Sequence, residues 1–190
     1  MHCRRAAGEE GNEVMTVRLL RGLAMLLAAL CASPVLAEKL SFDHRLYQPL
    51  KEVLDSGRDD MIQFNGKNPA YVTDLIVIRG KSTRNWTEAM IIIARTPSAK
   101  ARTAAEWMAE LQRQSDAECA NQFSIIAQDD TSITFERRSQ GCSPGYPANA
   151  IYRIVQGRKG LFLLGAMSKD GFTPDARTAW LALLGSAKLD

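Results

Sequence analysis

The chain has 190 residues, 46% of them hydrophobic, with 24 Lys+Arg against 21 Asp+Glu and a formal net charge of +3. So even a balance points to no particular class of partner. The basic residues are scattered along the chain rather than gathered in one tract interleaved with aromatics, which argues against a nucleic-acid interface.

Arg18 and Arg21 precede an apolar run from Leu23 to Ala32, followed by Ser33-Pro34 and the pattern Val35-Leu36-Ala37. These are the ordered parts of a secretory signal peptide, with cleavage expected after Ala37 and a periplasmic or secreted destination. The run is about half of the ~20 residues a membrane span requires, and no second such run follows, so no integral membrane segment is expected after cleavage. Glu9, Glu10 and Glu13 are unlike the basic start of a leader, which makes Met15 the expected start. Leu30 stands before Cys31 where a lipoprotein signal has a small residue, and this argues against a lipid anchor. Cleavage removes four arginines and three glutamates and leaves 20 basic and 18 acidic side chains. It also removes Cys3 and Cys31. The remaining pair, Cys119 and Cys142, reads as a disulfide in an oxidising compartment. Residues 38–190 are enough for one hydrophobic core and are read as a single domain.

Within that domain, Leu46, Leu50 and Leu54 recur every four residues and predict a short helix or irregular arm over residues 42–54. Residues 72–79 and 86–95 are apolar, β-branched runs joined by the polar segment 80–85, a β-hairpin with strands partly buried on both faces. Pro97 stops the second strand, and Thr103-Ala104-Ala105-Glu106 has capping-box spacing at the start of a helix whose apolar stripe carries Trp107 and Leu111. Strands are predicted over 122–128 and 132–138 around Asp129-Asp130-Thr131, and over 150–156 and 161–167 around Gly157-Arg158-Lys159-Gly160. Thr173-Pro174-Asp175 starts a final helix that places Ala176, Trp180, Leu183, Leu184 and Ala187 on one face. The order implies an α+β fold, an antiparallel β-sheet with packed helices.

A three-residue loop at 129–131 makes opposed residues sum to 260, pairing Ala127 with Ile133, Ile125 with Phe135 and Phe123 with Arg137. That register gathers the apolar residues on one face and brings Cys119 opposite Gly141, one residue from Cys142.

The element order, the Trp86-Thr87-Glu88 entry into an apolar strand, and the closing hairpin followed by a Trp-bearing helix resemble the Mog/PsbP-like α/β/α sandwich superfamily over residues 70–189. The resemblance implies a non-catalytic binding or assembly role. It supplies no motif from which functional residues carry over.

Catalytic chemistry finds few groups. The exported chain keeps one histidine, His44, in the N-terminal arm, where a Ser-His or Cys-His hydrolase would have to recruit it. One histidine and two paired cysteines leave no zinc or copper ligand set, and no cofactor is expected. Gly80-Lys81-Ser82-Thr83 lacks the upstream glycine of a P-loop, with Leu75 in its place, and is followed by a strand. Asp59-Asp60 and Asp129-Asp130 are adjacent carboxylates in polar turns, not a pair across a cleft. Asn85-Trp86-Thr87 is a glycosylation sequon, which a bacterial leader makes idle. Trp86, Trp107, Trp180, Phe123, Phe135 and Phe162 are read as core. The loop 139–148 differs, because Tyr146 lies among glycines and prolines and is tied down by Cys142, and rigid loops are common recognition sites. Tyr146, Ser143 and Arg138 are therefore the expected binding residues. The leading expectation is an envelope accessory protein that recognises another envelope protein through this loop or an exposed sheet edge. A small-molecule or lipid binder with a pocket between sheet and helix stands second, and a hydrolase using His44 third.

Overall fold

Seven strands pair antiparallel in one sheet: β2 (Ile62–Asn65), β3 (Tyr71–Ser82), β4 (Asn85–Arg95), β5 (Ala120–Gln128), β6 (Ser132–Gln140), β7 (Asn149–Gln156) and β8 (Leu161–Ser168). Their spatial order is β2-β3-β4-β8-β7-β6-β5, so β2 and β5 are the edges. Two short strands, β1 (Leu40–Ser41) and β9 (Lys188–Leu189), pair separately and bring the first and last described residues together. Among the described residues three α-helices complete the α+β fold: α1 (Gln48–Ser56), α2 (Ala104–Asp116) and α3 (Pro174–Gly185). The structure, a computed structural model, describes residues 38–65, 71–98 and 101–190, and Glu38–Asp190 form one unit. The expected leader, Met15 start and Cys31 lie outside the described residues.

The central strands are apolar on both faces because both faces are covered. Successive side chains alternate across a strand. On one face Ile76, Met90, Ile151, Val155, Leu164 and Ala166 pack against Leu50 of α1 and Trp180, Leu183 and Leu184 of α3. On the other, Ile133, Phe135, Ile154, Leu161 and Leu163 pack against Ala104 and Trp107 of α2. The capping box is present, with Thr103 Oγ1 accepting from Glu106 N and Glu106 accepting from Thr103 N. Thr173 caps α3 in the same way, and Pro174 occupies its first turn. Leu46 ends a single 3-10 turn before α1 and stays exposed, so the spacing of four marks only Leu50 and Leu54 as inward.

A buried polar node crosses the first core. Glu88 Oε1 accepts from the Tyr47 hydroxyl at 2.6 Å and from Trp180 Nε1 at 2.7 Å, while Oε2 meets Arg79 at 3.1 Å. One carboxylate thus links the segment before α1, strands β3 and β4, and α3. Burial, and then the bond to Glu88, raises the Tyr47 pKa. At the chain's start, the Glu38 carboxylate accepts from the backbone N–H groups of Arg158, Lys159 and Gly160 at 2.5, 3.1 and 3.2 Å. A side chain at Gly157 would collide with that carboxylate, its Cβ lying 2.2 Å from Glu38 Oε2.

Two expectations are corrected. The first hairpin turns at residues 83–84, not over 80–85, because β3 continues through Gly80 to Ser82 by way of irregular pairing. Gly80 permits this at φ +145°, where a Cβ would sit 2.5 Å from Asn85 O. The β5–β6 register follows the sum of 260 from Ala120 to Ile125 but slips by one beyond it, so Ala127 faces Thr134 and not Ile133. The cause is Asp129. Its carboxylate accepts from Thr131 N, Ser132 N and both hydroxyls, which lengthens the turn through Ser132 and leaves Ile126 as a bulge.

Candidate functional site: the β5 edge and the disulfide-tied loop

Strand β5 reads Ala-Asn-Gln-Phe-Ser-Ile-Ile-Ala-Gln over its nine residues, with no charge and no proline. It pairs with β6 on one side and with no strand among the described residues on the other. Natural edges are usually blunted by charge, proline or a bulge, since their unpaired N–H and C=O groups template pairing with another chain. Here only the bulge at Ile126 serves. Ile125 is 55% exposed and Ile126 40%, although Ile125 faces the fully buried Phe135. The expectation of a buried apolar face therefore fails at Ile125 and Ile126: an edge residue has a neighbouring strand on one side only.

The Cys119–Cys142 disulfide ties the start of β5 to the loop after β6, with Cα atoms 5.0 Å apart. Gly141, at φ +68°, makes the turn out of β6 that brings Cys142 back. Beneath the loop lies Arg137, 4% exposed. Its Nη1 donates to the Tyr146 hydroxyl at 2.5 Å and its Nη2 to Pro147 O at 3.1 Å, while Nε has no partner. The guanidinium stands 4.5 Å from the Tyr146 ring centre and 6.0 Å from that of Tyr152. Aromatic faces thus take the place of a carboxylate around this buried cation. Burial raises the Tyr152 pKa.

Tyr146 accordingly points inward and is only partly exposed. Ser143 is exposed and uses its carbonyl to accept from Tyr146 N. Arg138 lies on the opposite face of β6 from Arg137, where it pairs with Glu136 at 3.4 Å, and Arg177 of α3 meets the other oxygen of the same carboxylate at 2.8 Å. The three expected binding residues are not gathered on one surface. Sequence reasoning passed over Arg137, although its parity with Ile133 and Phe135 on β6 places it on the inward face.

The other residues singled out from the sequence are dispersed. His44 borders a shallow hollow of about 440 Å³ with Asp43, Arg45, Ser186 and Lys188. Asp43 there binds Arg45, and Ser186 Oγ donates to Leu183 O. Asp60 pairs with Arg58, and Asp129 is consumed in its turn, where the Ser132 hydroxyl and the Thr131 N–H hold its pKa down to about 2. Trp86 is half-buried with Lys169 Nζ 4.5 Å from its ring centre, so it is a surface contact and not core. Phe123 and Phe162 are only partly buried, and Phe123 packs against the second core beside Phe135. No cluster of three metal-ligating side chains occurs among the described residues. None of their helices is long and apolar enough to cross a membrane. Comparison with protein-family models and with curated proteins finds no match to this chain.

Proposed function

We propose that this chain is an exported, non-catalytic binding protein of the bacterial envelope that recognises another envelope protein by adding an extended segment of it to the β5 edge. The observation that carries the reading is the long, uncharged edge strand with the consecutive Ile125 and Ile126 both exposed. Backbone hydrogen bonds would supply affinity, and the exposed isoleucines an apolar register mark on the incoming strand. The disulfide anchors the start of that strand against the loop, so the edge is held in shape before a partner arrives. Export draws support from the leader pattern, from a folded unit that begins at Glu38 directly after the expected cleavage point, and from a cysteine pair in bonding geometry. Helices on both faces of an antiparallel sheet fit the layer order of a Mog/PsbP-like sandwich.

The test is co-purification from the native envelope with the tagged chain and its Ile125→Lys variant. A charge on the edge should abolish recovery of a partner while leaving the urea midpoint unchanged, since Ile125 is largely exposed. Equal recovery by both proteins would contradict the reading.

A further inference from the structure

A second surface, far from β5 in the sheet order, has the features of a ligand site. Among the described residues, α1 and α3 cover one face of the sheet, while the other carries α2, which packs on β5, β6 and β7, and the disulfide-tied loop over Arg137. The helix is thus off-centre: Val77 and Ala89 on that face are buried, but the parts of β3 and β4 beyond them are left partly open. Leu75, Ile91 and Ile93 there are only half-buried. Between that open side and the flank of α2 lies a groove of about 460 Å³, lined among others by Ile93, Arg95, Trp107, Glu110, Leu111 and Gln114. This volume is within the ~300–1,000 Å³ of small-molecule sites.

The groove's charges are already matched. Arg95 Nη1 reaches from β4 to Glu110 Oε2 on α2 at 3.0 Å, with the two side chains only 18% and 13% exposed. The Arg95 Nη2 donates to Ser98 Oγ at 2.7 Å, and the guanidinium stands 5.2 Å from the Trp107 ring centre. A charged ligand would have to compete with this sheltered pair and leave one of its members unmatched, which is strongly unfavourable. A neutral ligand meets no such cost. Ile93, Trp107 and Leu111 offer it an apolar bed, and the Gln114 amide, whose Nε2 donates to Glu110 Oε1 at 3.4 Å, offers its oxygen as an acceptor.

We infer that the groove between α2 and β4 binds a neutral, largely apolar small molecule with one hydrogen-bonding end. The site is independent of β5 and would give the protein a cargo or effector besides its protein partner.

The test is fluorescence titration of the full chain with N-phenyl-1-naphthylamine, a neutral apolar amine, beside the anionic 1-anilinonaphthalene-8-sulfonate. The neutral probe should saturate at one site, and the anionic probe should bind at least about tenfold more weakly. Gln114→Trp, an exposed position at which a ring can fill the groove, should weaken the neutral probe at least about tenfold, as should Leu111→Asn. Thermal midpoints check that both variants fold, and the Gln114 variant, which leaves the core intact, carries the test should the other fail. Ile125→Lys should bind the probe as the parent does, which separates this site from the edge strand. Absence of saturable binding, equal affinity for the two probes, or full affinity in Gln114→Trp would overturn the inference.

Discussion

At the scale of single residues, two carboxylates do different work. Glu88 is a buried acceptor for Tyr47 and Trp180 and the ion partner of Arg79. Glu88→Gln keeps its shape but removes the charge, and should cost about 1–3 kcal/mol in urea unfolding, the range for leaving buried polar partners poorly satisfied. A variant as stable as the parent would show that the node is incidental. Asp129 instead works at the surface, where the Ser132 hydroxyl and the Thr131 N–H hold its pKa down to about 2, below the usual aspartate range. A depressed carboxylate stabilises the fold above its unfolded pKa, and that contribution is lost as pH falls through its folded pKa. The stability difference between the parent and Asp129→Asn should therefore be full at neutral pH and shrink from about pH 4 down to about pH 2. A difference that stayed constant over that range would refute the role of the ionised carboxylate. None of this could be read from the sequence with equal ease. Asp129 was legible as a turn residue, but the fourth residue that it recruits was not, because a side chain that caps several N–H groups shifts a register without altering the hydrophobic pattern.

At the scale of elements, the disulfide and the last helix carry separate parts of the fold. Cys119 and Cys142 are 23 residues apart. Cys142→Ser should cost about 3 kcal/mol on the chain-entropy account of loop closure. Intact-mass analysis of unreduced protein after alkylation should find no adduct on either cysteine, and two adducts would contradict the bridge. Trp180, fully buried against Tyr47, should cost about 3–5 kcal/mol when truncated to alanine, read as a fall in the urea midpoint. An unchanged midpoint would make α3 peripheral. These elements were the legible ones: Thr103 and Glu106 announced α2, Thr173-Pro174 announced α3, and the four-strand run from 120 to 168 followed its alternation. Strands β1, β2 and β9 were not legible, since segments of two to four residues present no period. Gly80 was read as loop because glycine and polar neighbours signal turns, whereas here they permit close strand approach.

At the scale of the whole molecule, the two sheet faces are unequally covered, and β5 has no strand on its outer side among the described residues. The loop around Tyr146 looked like a recognition surface from its composition, but a buried arginine draws the tyrosine inward, and such a pairing across nine residues leaves no local pattern. The edge at β5 was anticipated only in general, because strand order, and hence which strand lacks a neighbour, depends on long-range pairing. Its nine neutral residues nonetheless state in the sequence that no charge guards it. The measurement that tests the central claim most directly is photo-crosslinking from single β5 positions in the native envelope. A photoreactive residue at the exposed Ser124 should yield one discrete adduct, and one at the exposed Arg113 on α2 should yield none. Discrete adducts from Arg113 alone, or none from any β5 position, would contradict recognition through this edge.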